Sequence, residues 1–352
     1  MHSKSAQKSI QEILTSTPPA FSNAEAIDIA ANHYGIHARV WPLVSERDQN
    51  FRLDCEDGNH FVLKISNCAE QLQVVDFQNS ALKHVAKRDA SFPLPRVIPD
   101  LHGRLHGNVE SSGKTHFVRV FGWLEGAVLG DAVVDAHLSR RLGQLLARLG
   151  LALKDFSHPG SNPPFLWDMK RASGLRDLLA YIEAPELKYV IGRVLDRFDV
   201  HVKPVLDTLR AQVIHNDMNP GNVLMDKTEA GRISGIIDFG DMVRSPLIID
   251  LAVAAAYQLS DGDDPLGGAL PIIAGYHSTR PLQAPEMELL MDLIKTRLVS
   301  SLLIASYRVS LFPENREYLM ISHESAKKYL LALTRQNVDE ALQRIRAACA
   351  CV

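Results

Sequence analysis

The sequence predicts an α+β fold of two lobes: a small β-rich N-terminal lobe over residues 1–121 and a larger, mainly helical C-terminal lobe over residues 122–352. Three observations predict it. Segments rich in β-branched and aromatic residues crowd into the first third, whereas helical spacing of apolar residues dominates after Gly126. Glycines close both ends of Gly122–Gly126, where the chain is expected to cross between the lobes. With 352 residues, 46% of them hydrophobic and 22% charged, there is material for two cores.

Each element has a local reason. Residues 1–20 are polar and end in prolines, so loose packing is expected. A helix is predicted over Ala24–Tyr34, capped by the Asn23 side chain and stopped by Gly35. Strands follow at Ala38–Ser45, Gln49–Cys55 and His60–Ile65, with Glu56–Asn59 as a hairpin turn between the last two. Leu72, Val75, Leu82 and Val85 share one face of a helix over Glu70–Lys87. Further strands are expected around Arg96–Ile98, Leu105–Val109 and Thr115–Phe121. Beyond Gly126 the predicted helices are Asp135–Leu151, Leu175–Tyr181, Glu186–Leu209, Leu247–Leu259, Leu266–His277 and a long Glu286–Leu311.

Composition excludes several classes. A net charge of -3 gives no basic bias toward nucleic acid or membrane surfaces. The N-terminus has no apolar core behind its charges, so no signal peptide is read there. The longest apolar runs, Leu247–Leu259 and Leu298–Leu311, are too short to span a bilayer and carry Asp250 and Arg308. Cys55, Cys68, Cys349 and Cys351 lack zinc-finger spacing, and the last two sit at an end expected to fray. A cytoplasmic protein with reduced thiols fits best.

Two short pieces carry the chemistry. Val213–Met225 reads His215-x-Asp217-x4-Asn222 between apolar flanks, and Ile236–Asp241 carries Asp238-Phe239-Gly240 after another apolar run. Kinase-type phosphoryl transfer needs one carboxylate near the acceptor hydroxyl, then an amide oxygen and a second carboxylate for Mg²⁺. Asp217 is the expected catalytic residue; Asn222 and Asp238 are the expected metal ligands. His215 is read as support for the loop, and Asp250 as an acceptor for its backbone N–H groups. A lone His-x-Asp is an ordinary turn, but the second motif in the right order makes the pair specific.

Lys64 is a single cation within the apolar strand Phe61–Ile65, a place where a phosphate partner is attractive. Ser45-Glu-Arg-Asp-Gln-Asn-Phe51 joins the first two strands without the glycines of a phosphate loop; Ser45, Gln49 and Asn50 are its candidate phosphate contacts. Gly107-x5-Gly113-Lys114-Thr115 only imitates a P-loop. It has one residue too many between its glycines and precedes a strand, so Asn108–Lys114 is read as a hairpin turn. His102 and His106 sit among Gly and Pro rather than on a helix, which argues against a metal site.

At these residues the chain resembles the aminoglycoside phosphotransferase/choline kinase superfamily, which has a protein-kinase-like two-lobed fold. It is more narrowly similar to hydroxylysine kinases and to the kinase domain fused to bacterial class III aminotransferases. That narrower likeness rests on Ser45–Phe51, Val62–Ser66, Phe77–Leu82, Leu166–Asp168, His215–Asp217, Ile237–Val243 and Gly275–His277, and runs from about Pro19 to Tyr318. The resemblance implies Lys64 as the phosphate-pairing lysine and a purine base held by backbone near Gly122–Leu124, with Gly122 and Leu124 as the contacts. It implies Mg²⁺ with ATP as donor, or GTP in the hydroxylysine branch. Gln78 stands where a Glu usually pairs with the lysine, with Asp76 and Glu70 as possible substitutes.

The acceptor is expected to be a small hydroxylated amine or amino acid, with 5-hydroxylysine first and homoserine, choline, ethanolamine or an aminoglycoside as rivals. An amino-acid acceptor needs a cation for its carboxylate and acids for its ammonium groups. Asp241, Trp167, Asp168, Tyr276 and Arg297 are the candidates. A reading of another class, a non-catalytic nucleotide-binding pseudokinase, predicts damage at Asp217, Asn222 or Asp238, and all three are intact.

Overall fold

Helix α1 (Asn23–Tyr34) starts one residue earlier than its sequence signal and takes its cap from Ser22, not Asn23. Ser22 and Glu25 form a reciprocal capping box, and Gly35 ends the helix in the left-handed region at φ 67°. Ser22→Ala should therefore cost about 1 kcal/mol, measurable as a lower midpoint in denaturant unfolding. The computed structural model describes residues 17–45, 47–130, 132 and 134–351. Most of the stretch expected to pack loosely, and Glu46 of the loop after the first strand, lie outside the described residues.

The chain divides into two compact units. The first runs to Ala127 and takes in His158–Pro164 and Ser234–Ile237. Its antiparallel sheet comprises β1 (Ala38–Leu43), β2 (Gln49–Cys55), β3 (His60–Ile65), β4 (Val97–Ile98), β5 (Gly107–Ser111) and β6 (Lys114–Gly122). The spatial order is β1-β2-β3-β6-β4, with β5 also paired to β6. Alternation points Phe51, Leu53, Leu63, Ile65, Val118 and Val120 onto Ala26, Ile29, Ala30 and Tyr34 of α1. The Tyr34 hydroxyl donates to the Val118 carbonyl at 2.9 Å, so this buried polar tip is satisfied. The false P-loop is indeed a hairpin: Ser111 pairs with Lys114 across Ser112 and Gly113, both at positive φ. Helix α2 (Leu72–Arg88) follows β3 and buries Val75, Phe77, Leu82 and Val85.

The second unit is mainly helical. Helices α3 (Ala136–Ala152) and α4 (Pro185–Arg197) precede strand β7 (Ala211–Ile214). Strands β8 (Val223–Met225) and β9 (Val243–Pro246) follow, then α5 (Leu247–Ala256), α6 (Pro265–Thr279), α7 (Ala284–Leu311), α8 (His323–Arg335) and α9 (Val338–Ala350). Gly143 on α3 and Gly275 on α6 let these helices meet backbone to backbone. A Cβ on either would overlap a carbonyl oxygen of the other helix, Ile272 or Arg140 respectively. Helix α7 is buried on every side over Leu289–Ser300, and two of its acids are paired: Glu286 takes a bidentate contact from Arg210, and Asp292 lies 2.7 Å from Arg197.

Three expectations need correction. The helix expected over Glu186–Leu209 ends at Arg197, passes through a π turn at Phe198–Val202 and resumes at Lys203–Leu206. Pro204 is the physical reason, since it has no N–H to donate and crowds the carbonyl four residues before it. Leu175–Tyr181 belongs to a longer 3₁₀ segment, Met169–Tyr181. The C-terminus does not fray at Cys349: that residue is buried on α9 with Ala341 and Ile345, four apart, and burial pushes its thiol up to about 11.

Candidate active site

Strands β7 and β9 pair antiparallel with Ile214 opposite Val243. β7 therefore ends where β9 begins, which sets the segment opening at His215 beside the turn Asp238–Met242. The His215 ring packs edge-on against the Phe239 ring at 4.8 Å, and His215 Nδ1 accepts the Asp217 N–H at 3.2 Å. His215 is fully buried and acts as a brace rather than a base. From α5, the buried Asp250 carboxylate accepts the N–H groups of His215 at 3.3 Å and Asn216 at 2.7 Å. Asn216 sits at φ 67°, a conformation that Asn tolerates better than most side chains.

Asp217 is held by three donors. Oδ2 accepts the amides of Asn219 and Asn222, both at 2.9 Å, and Oδ1 accepts Arg297 Nη2 at 3.0 Å. An ionised carboxylate has about four lone-pair sites, so one acceptor site remains, on Oδ1. Burial pushes the Asp217 carboxyl up, Arg297 pulls it partly back and the charges of Asp241 and Asp238 add repulsion; it lies at about 6. The same repulsion reports that the two motif acids gather around Asp217.

The amide nitrogen of Asn222 is committed to Asp217, to its backbone oxygen as well as to Oδ2, which leaves Asn222 Oδ1 as a free-facing hard ligand atom. Asp238, at φ 57°, is exposed and accepts the Gly240 N–H at 3.1 Å. Among the described residues no group of three or more His, Cys, Asp or Glu side chains is arranged to hold a metal. A cation here would rest on one amide oxygen and one carboxylate and take its other ligands elsewhere. That donor set suits Mg²⁺ bound together with substrate phosphates.

In the first unit, Lys64 Nζ lies 2.8 Å from Asp48 Oδ2, and Asp48 Oδ1 accepts the Asn67 N–H at 2.9 Å. Burial alone would raise Asp48, but Lys64 beside it holds the carboxyl at about 2. An acid on the loop between β1 and β2 thus partners the lysine, in place of the helix Glu. Gln78 instead accepts Arg119 Nη1 at 2.7 Å, and Asp76 lies 3.1 Å from His158.

Several candidates have other work. The Gln49 amide is tied to the Phe21 backbone through two bonds of 2.8 Å, so it does not face a phosphate. Ser45 is half-buried after β1, and Asn50 Oδ1 is buried without a hydrogen bond. Gly122 donates its N–H to Arg96, whereas the backbone of Leu124 makes no hydrogen bond among the described residues. Asp168 is fully buried and caps the 3₁₀ segment, accepting Lys170 N and Arg171 Nε at 3.2 Å each, so it is not open to an acceptor. Tyr276 is core on α6, shielded by burial that raises its hydroxyl far above its usual range. Arg297 and Trp167 do meet: the guanidinium stacks 4.6 Å from the Trp167 ring centroid. Sequence reasoning missed Tyr257, whose hydroxyl accepts Arg297 Nη2 at 3.1 Å, and Asp48. Asp48 had a signal, being an acid in the loop that leads into the strand beside the lysine; Tyr257 had none.

The APH model of the phosphotransferase enzyme family matches residues 42–282, a span that contains Lys64 and both motifs. The chain belongs to this family. As a phosphotransferase it is similar to hydroxylysine kinase of Danio rerio, 29% identical over 339 residues, covering 93% of this chain and 95% of that protein. It is similar to homoserine kinase of Neisseria meningitidis, 33% identical over 158 residues but only 44% of this chain and 48% of that one. Among solved structures, an amicoumacin kinase in complex with AMP-PNP and Ca²⁺ shares the fold, with a TM-score of 0.69 at 15% identity over 97% of this chain and 99% of that one. The α+β, protein-kinase-like fold expected from the sequence is thus the fold of this phosphotransferase. No helix among the described residues is long and apolar enough to cross a membrane.

Proposed function

We propose that this phosphotransferase moves the γ-phosphoryl group of ATP or GTP onto the hydroxyl of a small amino acid or amino alcohol, with 5-hydroxylysine the best-supported acceptor. One observation carries the reading: a partly exposed Asp217, gripped by three donors, keeps a single open acceptor site on Oδ1. The acceptor hydroxyl donates there. As its oxygen bonds the γ-phosphorus and the bond from that phosphorus to the β–γ bridging oxygen breaks, the proton passes to Oδ1. A phosphate monoester and a nucleoside diphosphate result.

Asn222 Oδ1 and the Asp238 carboxylate are the Mg²⁺ ligands in this reading, and the ion, when bound, neutralises charge on the phosphates. Lys64 supplies a phosphate contact and Asp48 sets its position. Ser45 on the loop before β2 and Asn50 on β2 remain candidates, and Leu124 offers its open backbone groups to the base. The long likeness to hydroxylysine kinase supports the acceptor. Homoserine, also a hydroxylated amino acid, is the second reading, on the shorter stretch of similarity. A cytoplasmic site of action fits the nucleotide donor.

The test is a panel of hydroxylated amino acids, amino alcohols and aminoglycosides, each with ATP and GTP, reading nucleoside diphosphate release and phosphorylated product. Turnover of 5-hydroxylysine above the rest is expected; no turnover of any acceptor would leave only the pseudokinase. Because the base must be ionised and its carboxyl lies at about 6, activity should fall as pH drops through that value. A kcat/KM profile still flat at pH 5 would remove Asp217 from the role of base.

A further inference from the structure

Arg297 presents a cost that the fold does not settle. It is 3% exposed, projects from α7, and spends Nη2 on both Asp217 and Tyr257. One face of its guanidinium lies on Trp167, and the Tyr257 ring is 5.7 Å away. Its Nε and Nη1 are buried with no hydrogen-bond partner. A guanidinium has five N–H donors, so three of them are out of water and unmatched. Buried donors left in that state are destabilising, and a native structure that keeps them calls for an explanation.

The position of these donors supplies one. Oδ1 of Asp217, where the acceptor hydroxyl donates, is the oxygen that Arg297 holds. An acceptor seated there lies against the guanidinium, whose idle Nε–H and Nη1–H groups leave it on different sides, each able to give an acceptor carboxylate a charge-assisted hydrogen bond. We infer that Arg297 is the carboxylate anchor of the acceptor site, which restricts the enzyme to hydroxylated amino acids and disfavours amino alcohols and aminoglycosides. This rests on the function proposed above and names the acceptor class of the same site. Nε and Nη1 are closed to solvent in this state, so the acceptor must open one of those two sides on arrival. Trp167, half-buried in the segment before the 3₁₀ helix, covers one face of the cation. Asp241, whose charge reaches both Asp217 and Arg297, is placed to meet an acceptor ammonium.

The deciding experiment is binding without turnover. The full chain, loaded with Mg²⁺ and a non-hydrolysable nucleotide, is titrated calorimetrically with ligand pairs that differ only in a carboxylate: lysine against cadaverine, and homoserine against 3-aminopropanol. In at least one pair the carboxylate should tighten binding by about thirtyfold or more. Arg297→Gln should shrink that ratio to near one, and Arg297→Lys should restore part of it. Equal affinity within both pairs on the wild-type protein, or no binding by any of the four, overturns the inference, and this arm needs no variant to fold. A phosphotransferase that turns over amino alcohols as well as amino acids would keep the proposed chemistry while removing the anchor. A protein that favours the carboxylate ligands yet transfers no phosphate would do the reverse.

Discussion

Asp217→Asn should lower kcat by about three orders of magnitude while nucleotide affinity stays close to wild type. The substitution keeps the shape and removes the base. It also meets a local conflict, because every hydrogen-bond partner of this carboxylate is a donor: Asn219 and Asn222 on one oxygen, Arg297 on the other. An amide can satisfy only one side. Turning its oxygen toward the two Asn amides leaves its NH₂ against the guanidinium, at the very position that should take the acceptor proton. Steady-state kinetics together with calorimetric nucleotide binding check both halves. Unchanged turnover would mean that the proton goes elsewhere; lost nucleotide binding would mean that Asp217 supports the donor site instead.

Gly143→Ala should destabilise the helical unit by about 3 kcal/mol, at the upper end of overpacking costs. The methyl group would meet the Ile272 carbonyl oxygen and the Tyr276 nitrogen, which are backbone atoms and cannot rotate away. Helices α3 and α6 would have to separate, and the reciprocal contact of Gly275 with Arg140 would open with them. Gly192 on α4 is the control, since a Cβ there meets nothing within 4 Å. Gly192→Ala should be neutral or stabilising, because it lowers the freedom of the unfolded chain. Thermal unfolding of the two variants beside wild type measures the contrast. A Gly143→Ala protein that melts with wild type would show that the helices are not so tightly opposed.

The fold was readable where the signal is local. Alternation in Gln49–Cys55 and His60–Ile65, and the positive-φ turn at Ser112 and Gly113, need no distant partner to be recognised. Errors fell where a neighbour overrides propensity. Pro204 breaks a helix whose apolar periodicity continues past it, and the helix at Cys349 exists because its Ala341–Ile345–Cys349 face is covered. The site divides in the same way. Asp217, Asn222 and Asp238 announce themselves by spacing, and the β7–β9 pairing brings their loops together. Asp168 and Tyr276 sit in suggestive segments but are consumed by a cap and by the core.

By itself, then, the sequence placed its β-rich segments ahead of its helical ones, marked the strand that carries Lys64 and singled out the three oxygen-bearing side chains of the two motifs as candidates. Only the tertiary structure decided their partners: Asp48 for Lys64, Asp250 for the backbone at Asn216, and Arg297 with Tyr257 and Trp167 beside Asp217. The reason is one of range. Strand alternation and motif spacing are properties of neighbouring residues, whereas a hydrogen bond between a loop and a helix 80 residues away depends on how every intervening element packs.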